Sequence, residues 1–207
     1  MKMLSIGCNS KLGKKIGVFN LPAIKTCPGS TTYCRQYCYA RKAERQYPAA
    51  RAMRERNYVF SQSPDFVSDM TLELTKFKGD KIRIHESGCF YSQEYLDKWI
   101  TIASAFHASL TFLAYTKMYD KLDFSKKPDN LVVYASYDPT TETEITCAPS
   151  GMHKCLIVDN PASPAEAILM NDGWYSCEPV SKTHRNYCGV SCNVCWTGSS
   201  NVLFQKH

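Results

Sequence analysis

Apolar and polar residues alternate in "DKIRIHESG", and the period then changes in "SQEYLDKWITIASAF", where Tyr95, Leu96, Trp99, Ile100, Ala103 and Phe106 recur on one side of a 3.6-residue turn. The first stretch predicts a short strand over 82–85 ending in glycine, and the second a helix that Ser92 can cap. The rhythm continues. "SLTFLAYTK" predicts a strand at 110–114, "MYDKLDFS" a short helical turn, and "NLVVYASYD" a strand at 131–135. "KCLIVDN" predicts a further strand, and "SPAEAILMN" a helix with proline at its start. Upstream, the apolar stretch "IGVFNLPAI" leads into a cysteine-bearing loop that a helix follows.

Strands alternating with helices imply parallel βα units, because a parallel pair needs a crossover connection. About five to six parallel strands predict an α/β fold, a partial (β/α) barrel smaller than the roughly 250 residues of a complete eight-fold one. An open doubly wound sheet is the alternative. Without a low-complexity linker or a repeat of residue identity, 1–207 reads as a single domain: a basic, cysteine-containing part at 1–60, βα units at 80–170 and a cysteine-rich segment at 171–207.

In either architecture ligands gather at the C-terminal ends of the strands. That rule nominates Glu86, Ser87, Gly88 and Cys89 after one strand, Tyr115, Thr116 and Lys117 after the next, and Ser136, Tyr137 and Asp138 after the third. Cys89, Glu86 and Lys117 are the catalytic candidates among them. Tyr137 and Asp138 read as capped loop residues, and His85 as a hydrogen-bonded core histidine.

Cysteine changes the picture most. The 11 cysteines occur in a chain whose opening "MKMLSIGCNSKLGKK" lacks the pattern of a signal peptide. No later apolar run approaches the ~18 residues of a membrane span. An intracellular, soluble protein is expected, without membrane association. In a reducing compartment thiols stay unpaired, so the count argues for metal or redox chemistry; a disulfide framework would be the reading for a secreted chain. Cys188-x3-Cys192-x2-Cys195, with Cys177 as the natural fourth, is spaced to wrap one metal centre. A second group, Cys27-x6-Cys34-x3-Cys38, sits where a strand-end loop would present it, with Lys25, Arg35, Arg41 and Lys42 expected to favour thiolates. Four thiolates suit structural zinc or an iron–sulfur cluster, and the irregular spacing favours the cluster. Cys8 and Cys155 read as small buried apolar residues and Cys147 as a loop thiol.

Charge adds a second candidate. The formal net charge is +6, yet residues 1–60 carry twelve Lys and Arg against Glu44 and Glu55 alone. Such a block can attract nucleic acid or another anion, although "ARKAERQYPAARAMRERNY" also reads as a solvated helix face. No P-loop, G-x-S-x-G, H-E-x-x-H or G-x-G-x-x-G motif occurs, and the histidines at 85, 107, 153, 184 and 207 form no metal motif.

The stretches "CPGSTTYCRQYCYA", "IRIHESGCFYSQEYLDKW", "AYTK", "CNVCW" and "VLFQKH" together resemble the phage gene product 88 family. The resemblance implies a phage or prophage origin, action in the cytoplasm of an infected bacterial host, a radical-SAM-like βα architecture and metal-binding cysteines, with no assigned reaction. The family pattern has Asp where this sequence has Cys89, which weakens any carry-over of a catalytic carboxylate.

The leading expectation is a phage iron–sulfur protein. It has one [4Fe–4S] cluster on Cys177, Cys188, Cys192 and Cys195, with Cys27, Cys34 and Cys38 for a second or shared centre, and serves electron transfer or redox-linked catalysis with a redox partner protein. A radical enzyme using S-adenosylmethionine at an open iron is one alternative. The other is a zinc-stabilised protein that binds nucleic acid through its basic residues 1–60.

Overall fold

The computed structural model describes residues 2–6, 11–147, 149, 151–159, 169, 171–177 and 188–205. Strand β1 (Ser5–Ile6) is followed by β2 (Gly17–Phe19) and four helices: α1 (Thr32–Gln36), α2 (Tyr39–Gln46), α3 (Pro48–Ser61) and α4 (Phe66–Thr75). Then come β3 (Lys81–Ile84), α5 (Gln93–Ala105), β4 (Thr111–Thr116) and β5 (Leu131–Tyr137). A 3-10 helix (Glu142–Cys147), β6 (His153–Val158), β7 (Tyr175–Cys177), a one-turn helix (Val194–Thr197) and β8 (Val202–Gln205) complete the described elements.

The strands form one sheet in the order β1-β2-β3-β4-β5-β6-β8-β7, antiparallel only between β1 and β2. From β2 to β6 the spatial order follows the chain, without the reversal that defines a doubly wound sheet. The architecture is thus mixed α/β with a mostly parallel sheet, as expected. Among the described residues the sheet has edges at β1 and β7, so the strand pairing establishes neither a barrel nor a likeness to radical S-adenosylmethionine enzymes.

Period-2 alternation sorts the strand residues between two faces. Ile82, Ile84, Phe112, Ala114, Leu131, Val133, Leu156 and Leu203 enter the main core, packed by Phe66, Met70 and Leu74 of α4 and Tyr95, Leu96, Trp99 and Ile102 of α5. Trp99 is wedged between Phe19 and Phe66, with ring centroids 5.3 and 5.6 Å away. Leu113, Val132, Tyr134, Cys155 and Val202 face the other side, against Cys195, Trp196 and Ile16. Helix α5 starts as its sequence predicts, the Ser92 side chain accepting from the Tyr95 amide at 3.2 Å.

The arginine-rich stretch is not one helix. Pro48, whose fixed φ suits a first helical turn, ends the run after Gln46 and opens α3. The helix expected in "SPAEAILMN" falls largely on 163–168, outside the described residues, and "MYDKLDFS" begins with the expected turn, the amides of Lys121 and Leu122 both donating to Met118 O.

Candidate anion-binding face and strand-end site

The C-terminal ends of β2 to β5 are tied together by their own loops. His85 N donates to Phe19 O at 2.9 Å, and Asn20 Oδ1 accepts from the amides of Glu86 and Ser87 at 2.8 and 2.9 Å. Gly88 has φ +93°, and a Cβ there would stand 2.6 Å from Leu21 Cβ, so only glycine lets the loops meet this closely. The next residue, Cys89, donates its amide to Thr26 O at 3.1 Å, and its sulfur lies 3.1 Å from Thr116 Oγ1. His85, at φ +66°, is buried with Nε2 2.8 Å from Tyr95 Oη. Burial, then the Arg83 charge, lowers its pKa to about 3, so the ring is neutral.

Helix α1 is pinned over this rim. Thr31 accepts from the Cys34 amide at 3.0 Å as the N-cap and donates to Asp138 Oδ2 at 2.6 Å. The same carboxylate pairs with Lys117 Nζ at 2.7 Å and accepts from Thr140 N and Oγ1 at 3.0 and 2.6 Å. Lys117 Nζ also donates to Ser136 O at 3.1 Å. Tyr33 and Tyr39 reach down to Asp159 and to the Glu86 carbonyl. Asp138 is therefore the buried anchor of the helix, a larger role than a capped loop residue has.

The thiols behave differently from expectation. Burial, then the neighbouring Cys89, pushes Cys27 up to about 12, and burial also raises Cys34 and Cys89. Desolvation outweighs the basic residues that were expected to favour thiolates. At the other group, burial raises Cys177 to about 12 and Cys195 to about 11. These thiols come near enough to disfavour one another's ionisation, yet three of the four sulfurs turn to partners of their own. Cys188 accepts from Trp196 Nε1 at 3.4 Å, Cys192 donates to Tyr175 Oη at 3.6 Å, and Cys195 bonds with Tyr115.

Among the described residues no group of three or more His, Cys, Asp or Glu side chains is placed to hold a metal ion, and no disulfide occurs. This overturns the expected [4Fe–4S] protein with ligands Cys177, Cys188, Cys192 and Cys195 and a second centre at Cys27, Cys34 and Cys38. The zinc-stabilised alternative rested on the same grouping and the radical S-adenosylmethionine alternative on such a cluster, so neither is carried forward. Spacing brought the thiols into one neighbourhood; it did not aim the sulfurs at one point.

Beside the rim lies a hollow of about 520 Å³ between the loop after β2 and helices α1 to α3. Lys25, Arg35, Arg41, Arg45 and Arg51 line it, with Glu44 and Glu55. Both carboxylates are engaged. Glu44 binds Arg54 at 3.0 Å and the Ala23 amide at 2.8 Å, and Glu55 pairs with Lys25 at 2.7 Å. Arg35 Nε donates to Ser30 Oγ at 2.9 Å, whereas Arg41, Arg45 and Arg51 join no ion pair among the described residues. The same segment exposes three rings: Tyr37, Tyr39 and Tyr47 at 41, 61 and 55 %. Five cations of the basic block thus stand around one concavity, while Arg54 is buried beside it in its pair with Glu44.

A sequence model described as Gene product 88 matches residues 3–198. The chain belongs to that family. The name supports a phage protein, and the match bears out the resemblance carried by the cysteine and strand motifs. No curated protein and no solved structure matches. Within the described residues of this Gene product 88 chain, no helix is long and apolar enough to cross a membrane.

Of the residues nominated at strand ends, the fold brings Cys89, Thr116, Lys117 and Asp138 to one rim, with Cys27 and Cys34 of the first cysteine group. Thr31, Asn20 and Arg83 were not nominated. Thr31 lies three residues before Cys34 at a helix start, a capping signal visible in the sequence, and Arg83 is a cation set between two core isoleucines of β3.

Proposed function

We propose that the protein binds a phosphate-rich polyanion, single-stranded nucleic acid being the form its surface suits, across the face built by α1 to α3. The observation that carries this reading is the hollow where Arg41, Arg45 and Arg51 stand without ion-pair partners among the described residues while both lining carboxylates are occupied. Guanidinium groups match phosphate oxygens in geometry and charge. The exposed Tyr37, Tyr39 and Tyr47 beside them offer rings for unpaired bases, whose stacking is worth about 1–3 kcal/mol each. No metal takes part in this reading, and the setting is the cytoplasm of an infected bacterial host.

Fluorescence anisotropy with a labelled single-stranded oligonucleotide at several salt concentrations tests it. Each phosphate neutralised contributes about −0.7 to the slope of log affinity against log salt. The triple variant R41Q/R45Q/R51Q should flatten that slope by about 2 and weaken binding regardless of base sequence. Equal affinity and equal slope in wild type and variant would refute the assignment.

A further inference from the structure

Strand β3 reads Lys-Ile-Arg-Ile, and both isoleucines enter the helix-covered core. Arg83 lies between them on the opposite face, in register with Val18 of β2 and Leu113 of β4. A guanidinium among apolar strand residues costs desolvation energy unless something pairs with it. Other largely buried cations have partners: Arg54 in Glu44, Lys117 in Asp138 and Lys98 in Glu94. Arg83 has none among the described residues.

Two contacts fix its orientation. The guanidinium carbon stands 3.9 Å from the centroid of the Tyr115 ring, and Nε donates to His85 O at 3.4 Å. The outer nitrogens Nη1 and Nη2 donate to no described residue. A half-buried, pre-oriented fork whose outer nitrogens bond to no described residue is the arrangement that grips an oxyanion through two parallel hydrogen bonds. It lies at the C-terminal end of a parallel strand, where α/β sheets take their ligands.

We propose that Arg83 anchors a binding site for a small carboxylate or single phosphate group on the second face of the sheet, with Tyr115 as its floor. The Glu86 carboxylate, 3.4 Å from Asn20 Nδ2, is within electrostatic reach of Arg83. This site is independent of the basic hollow, and the chemistry of its ligand differs accordingly.

The test is arginine labelling with phenylglyoxal on the full wild-type chain, mapped by peptide mass spectrometry, in the presence of acetate, inorganic phosphate or a single-stranded oligonucleotide. Arg83 should be labelled in the free protein. Acetate or inorganic phosphate should slow labelling there by about tenfold once it exceeds its Kd about tenfold. Protection by acetate alone identifies a carboxylate ligand, and protection by phosphate alone a phosphate ester. The oligonucleotide should instead protect Arg41, Arg45 and Arg51; if it does not, the polyanion reading fails while the Arg83 site stands. An Arg83 that stays unlabelled while Arg41 reacts, or that reacts at one rate whatever acetate or phosphate is present, overturns the proposal.

Discussion

Replacing Asp138 by asparagine keeps the side chain's size and removes its charge. The carboxylate is fully buried and holds Lys117 at 2.7 Å, Thr31 at 2.6 Å and Thr140 at 2.6 and 3.0 Å. Burial alone would raise its pKa, but the hydrogen bonds from Lys117, Thr140 and Thr31 outweigh it and hold the value below the usual carboxylate range. The group is therefore ionised, and its stabilisation is present above the unfolded pKa of about 3.9 and lost as pH falls through the lower folded value. Breaking a buried pair costs about 3–5 kcal/mol, because the partner charge is left uncompensated. Lys117, with its side chain only 10 % exposed, is that partner. With a urea m-value of about 2 kcal/mol/M, D138N should lower the unfolding midpoint by about 1.5 M or more. K117M should cost a similar amount, and D138N/K117M much less than the two added, since the double variant strands no charge. Strictly additive losses, or a D138N loss under about 1 kcal/mol, would show that the pair does not anchor α1.

His85 carries a pH prediction of its own. The folded ring has a pKa of about 3 and the unfolded one about 6.5, so the unfolded state binds the extra proton between them and stability rises with pH by up to about 1.4 kcal/mol per unit. H85N, whose residue tolerates positive φ, should flatten that slope between about pH 4.5 and 6.5; an unchanged slope would place the titration elsewhere. Gly88→Ala should cost about 2–4 kcal/mol in denaturant unfolding, from positive φ and from overlap with Leu21 and Thr26, and a loss under about 1 kcal/mol would mean that the loops yield.

Much of the fold was legible in the chain. Alternation located β3, short apolar runs located β4 to β6 within a residue or two, and the apolar stripe with Ser92 located α5, because these signals are local to the backbone. The resemblance to the Gene product 88 family was legible for a related reason, as a set of ordered motifs. His85 was correctly read as a core residue, and polar groups do meet at the strand ends.

Other features depended on packing between distant segments. Four cysteines over 177–195 gave a spacing, but spacing limits only how far apart sulfurs can be. Their aim is set by rotamers, and those answer to Trp196, Tyr175 and Tyr115, which arrive from other elements. Thiol ionisation likewise follows burial, which no count of nearby arginines reveals. The basic hollow exists only because Pro48 splits one helical run into two that fold against each other, and the open fork of Arg83 only because Tyr115 of the neighbouring strand lies beneath it. The sequence by itself determined the elements and the chemistry available to them. The tertiary structure alone decided which groups meet, because side-chain direction and desolvation arise where segments far apart in the chain come together.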